Sequence, residues 1–269
     1  MDNSYKKIEN NYSPEEKQTL WDIAVGLNKV DNLTQSDKFY FLASEEVQGK
    51  KNYEQVREEL KSYYKNNKTN DQEEADFVAV RMTEFLASSG GMKLNAGYLK
   101  SIHGFILKDV WKGKDSQYIG VFRPYNISKS ERVLNGDSVL YMDYMMIDRV
   151  LEHDFEQEKK FNYKNITKEG FVKHIAEFTS NIWQIHPFIE GNTRTTALFI
   201  NNYLKQKKLK INNDIFKDNS QYFRDALVMA NSTNEDYQYL YKFFEKALFN
   251  LELELGEIKP IEEGIIFKP

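Results

Sequence analysis

The 269-residue chain has no cysteine and only five prolines. The absence of cysteine excludes a disulfide scaffold, a cysteine nucleophile and thiolate metal sites. No apolar run of roughly 18 residues occurs, so the sequence predicts no membrane-spanning helix. The polar first residues, Met1 to Lys7, do not have the pattern of a signal peptide. The expected location is the cytoplasm, with no membrane as a partner.

A positive charge excess is also lacking, because 37 Lys and Arg residues are set against 41 Asp and Glu residues. The net charge of −4 gives no electrostatic basis for binding bulk nucleic acid, and we expect no nucleic-acid partner. Apolar residues make up 41% of the chain and charged residues 29%, as in ordinary globular proteins. The length is sufficient for one or two domains with a real core.

Few prolines and many Leu, Lys, Glu and Gln residues favour helices. The pattern predicts helices over residues 14–29, 35–49, 52–66, 70–88, 95–109, 143–159, 168–185, 192–207, 219–231 and 235–253. Segment 119–142 differs, because β-forming residues flank the turn signal Asn135-Gly136. The expected fold class is therefore mainly α, a helical bundle with one small β-hairpin.

A polar stretch near residue 68 is the best linker in the sequence. It divides the chain into an N-terminal helical region, 1–68, and a core, 69–269, that contains the hairpin 119–142. Ser13 and Asn52 are placed to cap the helices that follow them.

The densest chemistry lies between two apolar helices, in the stretch His186-Pro187-Phe188-Ile189-Glu190-Gly191-Asn192-Thr193-Arg194. A helix start presents unpaired backbone N–H groups and the positive end of the helix dipole. Gly191, Asn192, Thr193 and Arg194 are therefore predicted to bind phosphate, with Arg194 gripping it bidentately.

Two further side chains complete the chemistry of this stretch. Glu190 can hold a Mg²⁺ that also binds phosphates. His186 can take a proton from an attacking hydroxyl. This combination is what nucleotidyl or phosphoryl transfer requires. An ordinary helix-turn-helix is the alternative, but it does not explain why His, Glu, Asn and Arg share one turn.

The stretch resembles the signature of the Fic (filamentation induced by cAMP) family, His-Pro-Phe-x-Asp/Glu-Gly-Asn-Gly/Lys-Arg-x-x-Arg. The matching residues are His186, Pro187, Phe188, Glu190, Gly191, Asn192 and Arg194. Thr193 stands where Gly or Lys is usual, and Ala197 stands where the second Arg is usual. The resemblance extends over about residues 95–250, through Ser101–Ile106, Val121–Lys129 and Asn219–Leu227. It implies a Fic-type helical bundle.

The resemblance also implies that 119–142 is a flap. In the family, this hairpin pairs with an extended stretch of a target protein by β-augmentation and aligns its hydroxyl. Lys129 and Ser130 stand where flap residues approach the nucleotide in relatives. The alternative is a small surface hairpin that only completes the fold.

Many Fic proteins carry an inhibitory helix with the pattern Ser/Thr-x-x-x-Glu-Gly/Asn, whose Glu pairs with the second Arg of the motif. Residues 36–49 contain a related spacing in Ser44, Gln48 and Gly49, but Gln48 replaces the Glu. Both halves of the ion pair are therefore missing, which argues against inhibition of this kind. The alternatives are a vestigial inhibitory helix and a plain helix end capped by Gly49.

The function implied is that of a protein adenylyltransferase. ATP is the substrate, with Mg²⁺ on Glu190, and His186 is the general base that lets a target hydroxyl attack the α-phosphorus. The alternatives are a Doc-like protein kinase, another nucleotide or phosphate transfer on the same fold, and a degenerate nucleotide-binding module. Besides the target protein, an antitoxin, self-inhibition and a homo-oligomer are partner states left open by the sequence.

Overall fold

The structure is a computed structural model that describes residues 12–29, 31, 33–67, 70–88, 91–209, 214–250 and 252–261. Within these ranges the chain forms the helices α1 (Pro14–Lys29), α2 (Asp37–Val47), α3 (Tyr53–Tyr64), α4 (Asn70–Ala87), α5 (Ala96–Leu107), α6 (Ile147–Lys160), α7 (Lys168–Ile185), α8 (Asn192–Gln206), α9 (Asp214–Ala230) and α10 (Gln238–Leu248). Short 3₁₀ turns occupy Gly113–Tyr118, Arg132–Leu134 and Tyr144–Met146. None of the helices in the described ranges has both the length and the apolar character needed to cross a bilayer.

Helix starts follow the capping residues that the sequence predicted. The Ser13 hydroxyl accepts from the Glu16 backbone N–H (3.2 Å), and the Glu16 carboxylate accepts from the Ser13 N–H (2.8 Å). Asn52 and Gln55 form the same reciprocal pair at the start of α3. These bonds satisfy N–H groups that the helix itself leaves unpaired. The caps therefore explain why the starts of α1 and α3 agree with the prediction to within one residue, whereas α6, α9 and α10 begin at 147, 214 and 238 rather than at 143, 219 and 235.

Helix α8 is the centre of the bundle, and its residues from Asn192 to Leu204 are all buried. It packs against α5 and α7, with α4 also in contact. On the other side, α7 packs against α6 and α10, and α9 packs against α10 and α1. A helix that is buried all round must satisfy its polar groups inside the protein. The polar start of α8 is therefore built into the core.

The N-terminal helices share this core. Helix α1 packs on both α4 and α9, and one hydrophobic cluster runs from Leu20 to Ile258. A close approach allows this packing, because a Cβ on Gly26 would lie 2.6 Å from backbone atoms of Phe216 and Lys217. The division of the chain near residue 68 remains a prediction. It cannot mean two separate hydrophobic cores, because the described cluster is continuous.

The prediction of a β-hairpin over 119–142 is not confirmed, because the chain forms no strand in this described segment. The turn at Asn135-Gly136 does adopt the predicted left-handed backbone, with φ values of 53° and 95°. A 3₁₀ turn precedes it, however, and the Ser138 hydroxyl takes the Lys129 N–H (3.0 Å) that a strand partner would take. A side-chain hydrogen bond has thus replaced a strand-ladder bond at Lys129. We call residues 119–142 the cover segment, because Tyr141 of this segment lies over His186 of the motif.

Ile258 and Ile261, near the end of the described chain, form hydrogen bonds with the cover segment. The Ile261 N–H donates to the Val133 carbonyl (3.0 Å), and the Asn135 side chain donates to the Ile261 carbonyl (2.8 Å). Arg132 donates to the Ile258 carbonyl (3.0 Å) and pairs with Asp225 on α9 (2.6 Å). The turn Arg132–Leu134 is thereby fixed on α9.

We expect Gly26→Ala to lower the free energy of unfolding by about 1–3 kcal/mol, the usual cost of overpacking. The added methyl group would force α1 away from the backbone of α9. Denaturant unfolding measures the loss. Gly97→Ala is the matched control, because the nearest atom to its added Cβ is a side-chain oxygen of Asn95 at 3.4 Å. Equal stability of the two variants would contradict the close packing of α1 on α9.

Candidate active site

The predicted motif forms a tight loop between α7 and α8. Helix α7 ends at Ile185, and His186 takes a left-handed backbone (φ 47°, ψ 59°) that turns the chain. Gly191, with φ 75°, begins α8. The Asn192 side chain closes the loop, accepting from the Phe188 N–H (2.9 Å) and donating to the Phe188 carbonyl (2.8 Å). Asn192 therefore shapes the loop first, whatever it does for a ligand.

The His186 imidazole lies in this loop and is only 1% exposed. Its Nδ1 is 3.2 Å from the Trp183 carbonyl oxygen, which can only accept, so the ring proton is on Nδ1 and Nε2 is free to act as an acceptor. Burial, together with the charges of Lys129 and Arg224, holds the pKa of His186 well below its usual range. The ring is neutral at physiological pH, as a general base must be.

A tyrosine covers the imidazole. The Tyr141 ring from the cover segment stacks on His186 with ring centres 4.0 Å apart. The Tyr141 hydroxyl donates to Glu131 Oε1 (3.0 Å), and burial beside Glu131 raises the pKa of this phenol. Nothing in the sequence marks Tyr141 as a site residue, because a β-forming tyrosine in a predicted strand gives no sign of its partner.

Arg123 ties the cover segment to the motif. Its Nε donates to the His186 carbonyl (2.8 Å), and its other nitrogens donate to the carbonyls of Tyr125 and Met142. The Arg123 backbone N–H donates to the Pro187 carbonyl (2.8 Å). One buried guanidinium therefore fixes the left-handed turn at His186 and both ends of the cover segment together.

His103 of α5 supports the motif from below. Its Nδ1 accepts from the Gly120 N–H (2.9 Å), so its Nε2 donates to the Glu190 carbonyl (3.1 Å). The ring stacks on Phe188 with centres 3.9 Å apart. Burial lowers the pKa of His103 to about 4. His103 thus acts as a neutral spacer between the cover segment and the loop.

Glu190 and Lys129 meet at the mouth of the site. Lys129 Nζ lies 2.7 Å from Glu190 Oε2, and the Glu190 side chain is 53% exposed. Ser130, the other predicted nucleotide contact of this segment, is exposed beside the turn at Gly136. Across the described residues, no cluster of three or more acidic or histidine side chains could hold a metal ion. Glu190 alone fits a Mg²⁺ only if phosphate oxygens and water complete the shell.

Arg194 is enclosed by protein groups. Its guanidinium is 2% exposed, and its Nε lies 2.8 Å from Asp31 Oδ2. Glu74 of α4 and Asn28 of α1 lie 3.4 Å from its other nitrogens. The predicted bidentate grip on phosphate remains a prediction, and it would require this guanidinium to leave two carboxylates. Nothing in the sequence marks Asp31 and Glu74 as partners of Arg194, because both are far from the motif along the chain.

Thr193 meets a second arginine that the motif does not contain. Its hydroxyl accepts from Trp183 Nε1 (3.0 Å) and from an Arg224 nitrogen (3.2 Å). Arg224, on α9, also pairs with both oxygens of Glu131, at 2.9 and 3.1 Å. The downstream helix 219–227 was assigned from sequence, but helical pattern alone cannot show which arginine points at the motif.

The residues of the suggested inhibitory helix lie elsewhere. Ser44 and Gln48 are exposed at the end of α2, which packs on α1 and α3. Gly49 follows the helix with φ 73°, as a plain helix end requires. The hydrogen bonds of these three residues stay within α2 and its turn. Ala197, 1% exposed, places no charge on α8. The acids that reach the motif arginine Arg194 are Asp31, which follows α1, and Glu74 of α4.

Comparison with known proteins agrees with this geometry. Residues 93–204 match the model of the Fic/DOC family. A protein adenylyltransferase of Bartonella henselae is 30% identical over 84 residues, which are 31% of this chain but only 15% of that protein. The chain therefore spans a small part of that curated relative.

Two solved structures share the fold. The BepC protein of Bartonella tribocorum, a VirB-translocated effector with bound AMPPNP, superimposes with a TM-score of 0.53 at 15% identity. That match covers 66% of this chain and 85% of the other. The N-terminal Fic domain of a VirB-translocated Bep effector of Bartonella quintana gives a TM-score of 0.52 at 20% identity, covering 66% and 81%. These likenesses confirm the helical Fic-type fold.

We expect the free energy of unfolding to decrease as the pH falls from 6.5 to about 4, the usual and the folded pKa of His103. The unfolded chain takes up a proton in this range that the folded chain refuses, so stability rises with pH. One histidine contributes at most about 1.4 kcal/mol per pH unit within that window. Above pH 6.5 its ring is neutral in both states and imposes no penalty.

Denaturant unfolding at several pH values measures this slope. His186, whose pKa is also lowered, acts in the same direction. In His103→Asn, the slope should become shallower by the share of one histidine. Identical slopes in the variant and in the wild type would contradict the neutral, buried assignment of His103.

Proposed function

We propose that the protein is a protein adenylyltransferase that transfers AMP from ATP to a hydroxyl of a target protein, because residues 93–204 match the model of the Fic/DOC family. The observation that carries the proposal is the His186 imidazole, which is neutral, has Nε2 as its acceptor and lies beside the start of α8. The bound AMPPNP of the structural relative from Bartonella tribocorum supports an adenine nucleotide as the substrate.

The proposed reaction places the triphosphate at the start of α8. The unpaired N–H groups and the helix dipole there favour an anion, and the left-handed backbone of Gly191 forms the turn that precedes them. His186 Nε2 removes the proton of the target hydroxyl, whose oxygen attacks the α-phosphorus while pyrophosphate leaves. His186 is only 1% exposed, so the groups that enclose it, Tyr141 among them, must move before a hydroxyl can reach Nε2.

Glu190 is the residue that would hold Mg²⁺ with the phosphates. A bound Mg²⁺ would neutralise phosphate charge and orient the leaving group. Glu190 now pairs with Lys129, and binding of the nucleotide would redistribute this pair: Lys129 to phosphate and Glu190 to the metal. Lys129 lies in the cover segment, which makes it the predicted link between that segment and the nucleotide.

The proposed target protein docks beside the cover segment. Several large apolar side chains are exposed in and next to this segment, among them Leu140 (86%), Met145 (72%) and Tyr125 (46%). Exposed apolar side chains that recur along one segment support a protein partner. Because the cover segment forms no strand, side-chain contacts rather than a shared sheet would provide most of the docking.

The test is mass spectrometry of intact protein and of a bacterial lysate after incubation with Mg²⁺ and each of ATP, GTP, CTP and UTP. We expect a gain of one AMP on a Ser, Thr or Tyr. His186→Ala should reduce its rate by about 10² to 10⁴, the usual range for loss of a general base. His153→Ala is the control, because His153 is exposed on α6 away from the motif. A gain of one phosphate instead would establish a kinase, and no transfer to any protein would leave a nucleotide-binding module.

A further inference from the structure

Two neighbouring ion pairs join the cover segment to α9. Glu131 pairs with Arg224, and Arg132 pairs with Asp225, so consecutive residues on each side are matched. The two pairs differ in what else they touch. Arg224 also donates to Thr193 in the first turn of α8, whereas Arg132 reaches toward Glu257 and the Ile258 carbonyl. Only the Glu131–Arg224 pair borders the motif.

Arg224 is the more exchangeable of the two arginines near the start of α8. Arg194 is 2% exposed and has carboxylates from two separate elements within reach. The Arg224 side chain is 16% exposed, and its close carboxylate partner is Glu131, with Asp31 at 3.9 Å. An anion at the helix start therefore reaches the partly exposed Arg224 guanidinium more readily than the enclosed Arg194 guanidinium.

Glu131 can leave without moving the backbone around it. The turn that follows it is held by Val133 and Asn135, through their bonds to Ile261. The Glu131 carboxylate is 3% exposed and keeps Arg224 and the Tyr141 hydroxyl as its partners. A rotation of this one side chain would free the guanidinium and, at the same time, remove the hydrogen-bond acceptor of Tyr141.

We propose that Arg224 is a phosphate-binding residue of this site, and that Glu131 occupies its guanidinium until a polyphosphate displaces the carboxylate. The displacement also releases the Tyr141 hydroxyl, which loosens the ring that covers His186. This inference rests on the proposed function, because it assumes that the nucleotide phosphates lie at the start of α8. Arg224 on α9 would then supply a positive charge that α8 lacks, because α8 carries Ala197.

The experiment is calorimetric binding of inorganic tripolyphosphate and of ATP, without a protein target, to the full chain and its variants. We expect Arg224→Gln to weaken the binding of both ligands about tenfold or more, as loss of a charge-assisted contact does. Glu131→Gln should tighten binding several-fold, because the competing charge is gone while the side-chain shape remains. Arg224→Gln combined with Glu131→Gln should bind no more tightly than Arg224→Gln alone.

Arg132→Gln is the matched control, since it breaks the adjacent pair to the same helix without touching the motif. If the Glu131–Arg224 pair only ties the cover segment to α9, Glu131→Gln should weaken ligand binding to the same extent as Arg132→Gln. That result would overturn the inference. Unchanged affinity in Arg224→Gln, with wild-type melting temperature, also overturns it and leaves the proposed function intact. If neither the wild type nor Glu131→Gln binds either ligand, the proposed function fails and this inference fails with it.

Discussion

Burial of α8 around its whole circumference is the constraint on which the site depends. From Asn192 to Leu204 no side chain is left to solvent, yet the first turn carries an amide, two hydroxyls and a guanidinium. Each buried polar group without a partner would cost about 1–3 kcal/mol. The partners come from all round the helix: Trp183 of α7 and Arg224 of α9 for Thr193, Asp31 and Glu74 for Arg194. Side chains from several other elements therefore hold the first turn of α8, although the Thr195 hydroxyl has no hydrogen-bond partner among the described residues.

The same requirement explains how an irregular segment can cover the site. Residues 119–142 form no strand ladder, but Arg123 donates hydrogen bonds to the carbonyls of His186, Tyr125 and Met142. His103 joins the Gly120 N–H to the Glu190 carbonyl. Side-chain donors thus satisfy backbone groups of both the motif and its cover, and they fix one relative to the other. A change in the motif would therefore affect the cover segment, and the reverse, through these shared hydrogen bonds.

Electrostatically, three of the cations near the site are paired with carboxylates, whereas Arg123 is held by backbone carbonyls. Lys129 has Glu190, Arg224 has Glu131, and Arg194 has Asp31 and Glu74. Removing one member of such a pair would leave an uncompensated charge in a partly buried region. A phosphate ligand must therefore enter by exchange and take over cations that already have partners. Glu190, which is 53% exposed at the rim, is the carboxylate best placed to give way first, whereas Glu131 is 3% exposed and has to be displaced from its bonds to Arg224 and Tyr141.

The sequence alone determined the helices and the motif, because apolar spacing, caps and the run from His186 to Arg194 are local features. Ser13 and Asn52 cap as their types dictate, and Asn135-Gly136 turns as its backbone preference requires. Only the tertiary structure decided which side chains contact the motif. Asp31, Arg224 and Glu131 are remote from it in the chain, and nothing local marks an arginine as facing a threonine on another helix. The missing strands of 119–142 have the same cause, since bonds to Arg123 and Ser138 compete with strand pairing only once the fold has brought them together.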